Sequence, residues 1–136
     1  MDSTREAYHE VYAYTIGRAG FMLQHVVDAY AAQTATDESN PIGVIFALVG
    51  LHLRVERQLS GREIQKVHMR MARQKRQWPT IHLPHTRGSM TAADVLAVPE
   101  GRERDQAIDK WCRSVWAAFG DSRQTIVDLV REYQIL

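Results

Sequence analysis

The stretch "PIGVIFALVGLHLRV", residues 41–55, decides how the rest of this sequence is read. Ile45, Leu48, His52, Val55 and, just beyond, Leu59 recur at i, i+3, i+7, i+10 and i+14, which places them on one face of a helix. The flanking Phe46, Val49, Leu51 and Leu53 are apolar too, so this helix is expected at the centre of the molecule. Pro41 suits its first turn, because the N–H that proline lacks would have no helical partner there. The run meets Arg54 before it is long enough to span a bilayer, which leaves a buried core helix.

Working toward the N-terminus, the polar segment "TATDESN" (34–40) separates this helix from an earlier one, Phe21 to about Gln33. Before that, Ser3-Thr4-Arg5-Glu6 reads as a capping box, followed by a stripe of Tyr8, Val11, Tyr12 and Thr15. Gly17 and Gly20 loosen the chain between those two helices. Toward the C-terminus, Ser60-Gly61-Arg62-Glu63 is a second capping box. It opens a helix expected to run to about Trp78, where Pro79 stops it, with Ile64, Val67, His68, Met71 and Trp78 facing inward.

The segment "PTIHLPHTRGS" (79–89) reads as a loop, within a connection of about 78–90. Thr91-Ala92-Ala93-Asp94 caps a short helix. A long helix follows Pro99, with Ile108, Trp111, Val115 and Ala118 inward and Gly120 at its end. Asp121-Ser122-Arg123-Gln124 then caps a last helix with a stripe of Ile126, Val127, Val130 and Tyr133. No segment alternates with period two. The expectation is an all-α fold: one domain over 1–136, an up-and-down bundle of four to five main helices plus a short one.

Composition agrees with a globular chain. Of the 136 residues, 45% are hydrophobic and 24% charged, and the formal net charge of +1 gives no global reason to expect nucleic acid or membrane binding. The single cysteine, Cys112, excludes an intramolecular disulfide and a cysteine-based zinc knuckle, and within "WCRSVW" it reads as a buried, inert thiol. The polar, acidic "MDSTREAYHE" does not resemble a signal peptide, so a cytoplasmic protein is expected.

Two polar intrusions into apolar faces set the functional question. In the second helix Phe21, His25, Asp28 and Ala32 share a face, and His52 lies in the seam of the third. An antiparallel pair of helices would bring His52 opposite His25 and Asp28. Two imidazoles and a carboxylate suit a divalent metal (zinc, nickel or iron), or a general base with an orienting acid. The alternative is a buried hydrogen-bond network in which Asp28 is held by a ring N–H or a backbone group. These three residues are not related by the HxxxH or ExxH spacing of many metal sites, and the network is the favoured reading.

Other features point less far. From Arg54 to Arg76 there are eight Lys and Arg against two Glu, with Arg62, Lys66, Arg70 and Arg73 on one helical stripe. No aromatic residues interleave with them for base stacking, so a solvated face is expected and nucleic acid is not. His82, His85 and Arg87 in "HLPHTRG" read as exposed loop residues. No phosphate loop, nucleophile elbow, dinucleotide fingerprint or HExxH occurs, so the sequence specifies no nucleophilic enzyme.

Taken in order, "HVVDAYAAQ" (25–33), "LHLRVERQL" (51–59), "MTAADVLA" (90–97) and "WCRSVWAAF" (111–119) resemble a bacterial family known only as a domain of unknown function. Its motifs are a VDAYAxQH helix, an HL-x-R/L-x-x-E helix, a TVADV segment and a W-x-x-SVW helix, and the likeness spans about residues 20–130. The resemblance implies that His25, Asp28, Tyr30, Gln33 and His52 occupy the family's characteristic positions, which supports the positions and not a chemistry; if the protein has a pocket, these five are its expected ligand-binding set, with His25, Asp28 and His52 the candidate metal ligands. Two departures stand out: Thr34 replaces the histidine that often follows the glutamine, and the cysteine-rich segment at the start of many members is missing. A looser analogy is to damage-inducible helical bundles that bind metal through three histidines, which would imply a metal-dependent hydrolase or transferase. The remaining alternative is a non-catalytic module that associates with itself, as a homodimer, or with a partner.

Overall fold

The computed structural model describes residues 3–132, and every regular element among them is helical. Seven α-helices follow in order: α1 (Ser3–Thr15), α2 (Leu23–Gln33), α3 (Pro41–Arg57), α4 (Gly61–Ala72), α5 (Ala92–Leu96), α6 (Arg102–Ala118) and α7 (Arg123–Glu132). The all-α expectation is met, with six helices of ten or more residues in place of four to five. Tyr133 lies outside the described residues.

Helix α3 is the central element. Val44, Ile45 and Ala47 through Leu53 are all buried, a continuous run that no amphipathic surface helix would show. It packs against α2, α4, α6 and α7, while α1 lies on α2 and α5. Trp111, Phe119, Ile45, Leu48, Leu51, Leu53, Ile64, Met71 and Ile108 fill the space between them. Burying a side chain of this kind contributes about 1.5–3 kcal/mol each.

The local start signals act as their chemistry requires. Asn40 Oδ1 accepts from Ile42 N at 3.0 Å, ahead of Pro41. Ser60 and Glu63 close a reciprocal box, Ser60 N donating to Glu63 Oε1 at 2.9 Å and Glu63 N to Ser60 Oγ at 3.3 Å. Thr91 and Asp94 do the same for α5, with Thr91 N donating to Asp94 Oδ2 at 2.8 Å.

Helix α3 ends on Gln58 in the left-handed region, φ 58°, with Gln58 N bonded to Arg54 O and Leu59 N to Leu53 O. Glycine usually takes that position. After Gly120, residues 120–122 form a 3₁₀ turn, and α7 begins at Arg123.

Three boundaries differ from the sequence expectation: α2 begins at Leu23 and not Phe21, whose φ of 56° is left-handed; Asp121 lies in the 3₁₀ turn ahead of α7 and does not cap it from outside; and α4 ends early. Helix α4 stops at Ala72, six residues before Trp78. Residues 72–77 are all exposed and dense in cations, so no buried stripe holds a longer helix to the bundle. Trp78 instead turns back to meet Phe46 edge-on, ring centroids 5.8 Å apart.

The irregular stretch 73–91 is fastened to the bundle at its far end by Arg87. Its guanidinium donates to Ala32 O at 3.2 Å, one of the last carbonyls of α2, which lack helical partners, and to Ala35 O at 2.8 Å, just beyond the helix. Ser114 Oγ accepts from the backbone of Ser89 and Met90. None of the described helices is long and apolar enough to cross a membrane.

Candidate functional site

The sequence places His25, Asp28 and His52 on inward faces, and all three are buried. Their surroundings are separate. Among the described residues no group of three or more His, Cys, Asp or Glu is gathered so as to hold a metal ion.

Asp28 faces α3 at its one internal glycine within the buried run. A Cβ built on Gly50 would lie 1.8 Å from Asp28 Oδ2, so the carboxyl occupies the volume that any other residue at 50 would need. Oδ1 accepts from Gln24 Nε2 at 3.0 Å, one helical turn earlier. The same amide nitrogen lies 3.4 Å from His68 Nδ1 on α4, and His68 Nε2 lies 2.7 Å from Phe46 O on α3. A carbonyl can only accept, so Nε2 carries the proton and Nδ1 is left to accept from Gln24.

A chain of polar contacts thus joins α2, α4 and α3. Asp28 is held in it by the Gln24 side-chain amide, in place of the ring N–H or backbone group expected from sequence, and His68 joins through Gln24. Burial raises the Asp28 carboxyl well above its usual range, the Gln24 bond opposing. Asp28 Oδ2 has no protein partner.

His52 stands on the opposite side of α3, its ring 5.7 Å from that of Trp116. Its Nδ1 is 3.6 Å from Glu56 Oε2, beyond a hydrogen bond. Glu56 is engaged elsewhere: Arg123 donates to both carboxylate oxygens at 2.8 and 2.5 Å, and Trp116 Nε1 donates at 2.7 Å. The Arg123 bonds in first place, with Trp116 adding to them, hold Glu56 down to about 2. Burial lowers His52, the Glu56 charge opposing.

Tyr30 and Gln33 are tied into the framework. Tyr30 stacks on Tyr8 of α1, centroids 3.8 Å apart and planes 6° from parallel. Gln33 receives Trp111 Nε1 at 3.0 Å and donates to Met90 O at 2.7 Å, so its amide bridges α6 to the 73–91 segment.

His25 lines a cleft. It shares the wall of a cavity of about 260 Å³ with Met22, Arg54, Ser60, Asp105 and Asp109, among others. A second cavity of about 350 Å³, lined by Arg54, Val55, Gln58, Asp109 and Arg113, adjoins it through Arg54 and Asp109. These two residues pair side-on, Arg54 Nε and Nη2 each 2.9 Å from an Asp109 oxygen, and Arg54 Nη1 reaches Leu59 O at 3.2 Å.

Asp105 is also occupied, accepting from Arg18 at 2.5 Å and from the Tyr14 hydroxyl at 2.7 Å. Beside Gly20 and Ser60 of the lining the backbones approach closely: Gly61 N donates to Gly20 O at 2.9 Å, and a Cβ at Gly61 would fall 1.9 Å from Phe21 O.

Burial, with the nearby Arg54 charge, lowers His25 to about 4, so its ring is neutral at physiological pH. Its Nδ1 is buried without a protein partner. A neutral imidazole of this kind offers one donor and one acceptor and is a weak base, better suited to orienting a ligand than to taking its proton. Cys112, behind it on α6, is fully buried and its thiol is pushed up by that burial. His82 and His85 are exposed, as are Arg62, Lys66, Arg70 and Arg73.

Sequence reasoning passed over Arg54, Asp105 and Asp109 as site residues. The available signal was weak: Arg102, Asp105, Gln106, Asp109 and Arg113 recur at i, i+3, i+4, i+7 and i+11 on one face of α6.

The model of the family described as "Family of unknown function (DUF5946)" matches residues 4–120. No curated protein matches the chain, and no solved structure does. The chain belongs to that family of unknown function.

Proposed function

We propose that this member of a family of unknown function is a small-ligand-binding helical module whose site is the cleft over His25. The observation that carries the reading is His25 itself: a neutral, 2% exposed imidazole on the wall of a cavity, with one ring nitrogen lacking a protein partner. His52 shares the unpartnered ring nitrogen but lines neither of the two cavities, and His68 satisfies both of its nitrogens, so the coincidence of both features is particular to His25. In this reading Asp28, Tyr30, Gln33 and His52 set the positions of the helices around the site, and His25 meets the ligand.

The test is a titration of the full chain with small acidic, neutral and basic compounds. It is followed by the ring correlations of His25 in NMR and by thermal unfolding. At least one class is expected to move the His25 signals saturably and to raise Tm, as any ligand specific for the folded state must. If no class moves them, the cleft is not a site.

A further inference from the structure

We infer that the ligand of the His25 cleft is a small dianion, a dicarboxylate or a phosphate ester, held between the guanidinium groups of Arg102 and Arg113. The inference rests on the reading of the cleft as a site and names what it would take.

The argument is one of charge. The cleft carboxylates already have cations: Asp109 is bound side-on by Arg54, and Asp105 by Arg18. Arg102 lines the smaller cavity and Arg113 the larger, and neither makes an ion pair or hydrogen bond among the described residues. Two positive charges are therefore left over, one at each end of the paired cavities. They stand 11 residues apart on the same face of α6, roughly 16 Å along its axis. In the proposed complex both side chains lean along the helix toward an oxyanion seated over the Arg54–Asp109 pair, which the two cavities share.

The electrostatic environment favours such a guest. Low-dielectric walls focus the field of the spare guanidinium groups into the cleft. Arginine's planar fork matches carboxylate and phosphate oxygens in pairs. A cationic ligand would face uncompensated arginines, and its natural counter-charges, Asp105 and Asp109, are engaged. The polar uncharged groups, Ser60, Gln58 and Gln106, supply further hydrogen bonds at the walls.

The experiment titrates the protein with succinate, inorganic phosphate, spermidine and glucose in separate arms at low ionic strength, reading the His25 ring signals. Succinate or phosphate is expected to shift them saturably, and the stronger of the two identifies the source of the negative charge. The Arg102→Gln/Arg113→Gln double variant changes two exposed side chains, so its fold should be kept. It is expected to bind at least tenfold more weakly, and 0.3 M sodium chloride should weaken binding to the parent protein. Shifts produced by spermidine or glucose and not by the anions would overturn the dianion assignment while upholding the cleft as a site. Undiminished anion binding in the double variant would overturn the arginine assignment. No shift in any arm would remove both readings together.

Discussion

Replacing Asp28 by asparagine tests whether a carboxyl is buried at the α2–α3 contact at an energetic cost. Asparagine has the same shape, so it fits the hollow over Gly50 and still accepts from Gln24. It replaces the ionisable carboxyl oxygen with an uncharged amide nitrogen, so the site can no longer carry a negative charge. In the folded state burial holds the Asp28 pKa well above its usual value of 3.8. The native chain then binds more protons at this site than the unfolded chain does. Stability contributed here is present below the unfolded pKa and is lost as pH rises toward the folded pKa.

The loss is bounded at about 1.4 kcal/mol per pH unit, or roughly 4 kcal/mol by pH 7. A lower bound of about 1 kcal/mol comes from one buried carboxylate oxygen left without a partner. Urea unfolding of both proteins at pH 4, 5.5 and 7 provides the readout. The Asp28→Asn variant should match the parent at pH 4 and exceed it by about 1–4 kcal/mol at pH 7, with the slope m unchanged. A pH-independent difference, or a less stable variant at pH 7, would show that the carboxylate is stabilised in the fold and refute the reasoning.

Three further outcomes follow from named contacts. Gly50→Ala should destabilise the protein by about 2–3 kcal/mol in urea titration, because its Cβ meets Asp28 in a packed helix contact. Adding Asp28→Ala should recover most of that loss, a coupling that independent sites would not show. Glu56→Gln should cost about 1 kcal/mol at pH 7, since Glu56 accepts from both Arg123 and Trp116. Because the Glu56 pKa is held down to about 2, its contribution is present above the unfolded value of 4.5 and lost as pH falls from 4.5 toward 2, so thermal melts of variant and parent should converge there. Gln58→Gly should raise stability by about 1 kcal/mol through relief of the left-handed conformation at the end of α3, measurable as a rise in Tm.

Much of the fold was legible because its signals are local. The capping residues Asn40, Ser60 and Thr91 act on N–H groups within three positions of themselves, so they are visible as short words in the chain. The continuous apolar run of α3 can be stable only at the centre of a bundle, whatever its neighbours turn out to be. The end of α4 was less legible: Trp78 looks like the next member of an inward stripe, but its partner, Phe46, lies on another helix.

The sequence by itself determined that the chain is helical, which helix is central, and that polar groups at 25, 28 and 52 enter buried faces. Those properties depend on periodicity and on contacts a few residues apart. Only the tertiary structure decided what the polar groups meet. Residues 25 and 28 share a helix yet point to different neighbours: Asp28 toward Gly50 and, through Gln24, toward His68, and His25 toward the Arg54–Asp109 cleft. An offset of three residues turns a side chain about 60° away from its neighbour around the axis, enough to place it against a different helix. Which helix that is depends on how α3, α4 and α6 pack, and packing is fixed by the sum of many weak contacts that no local word in the sequence spells out.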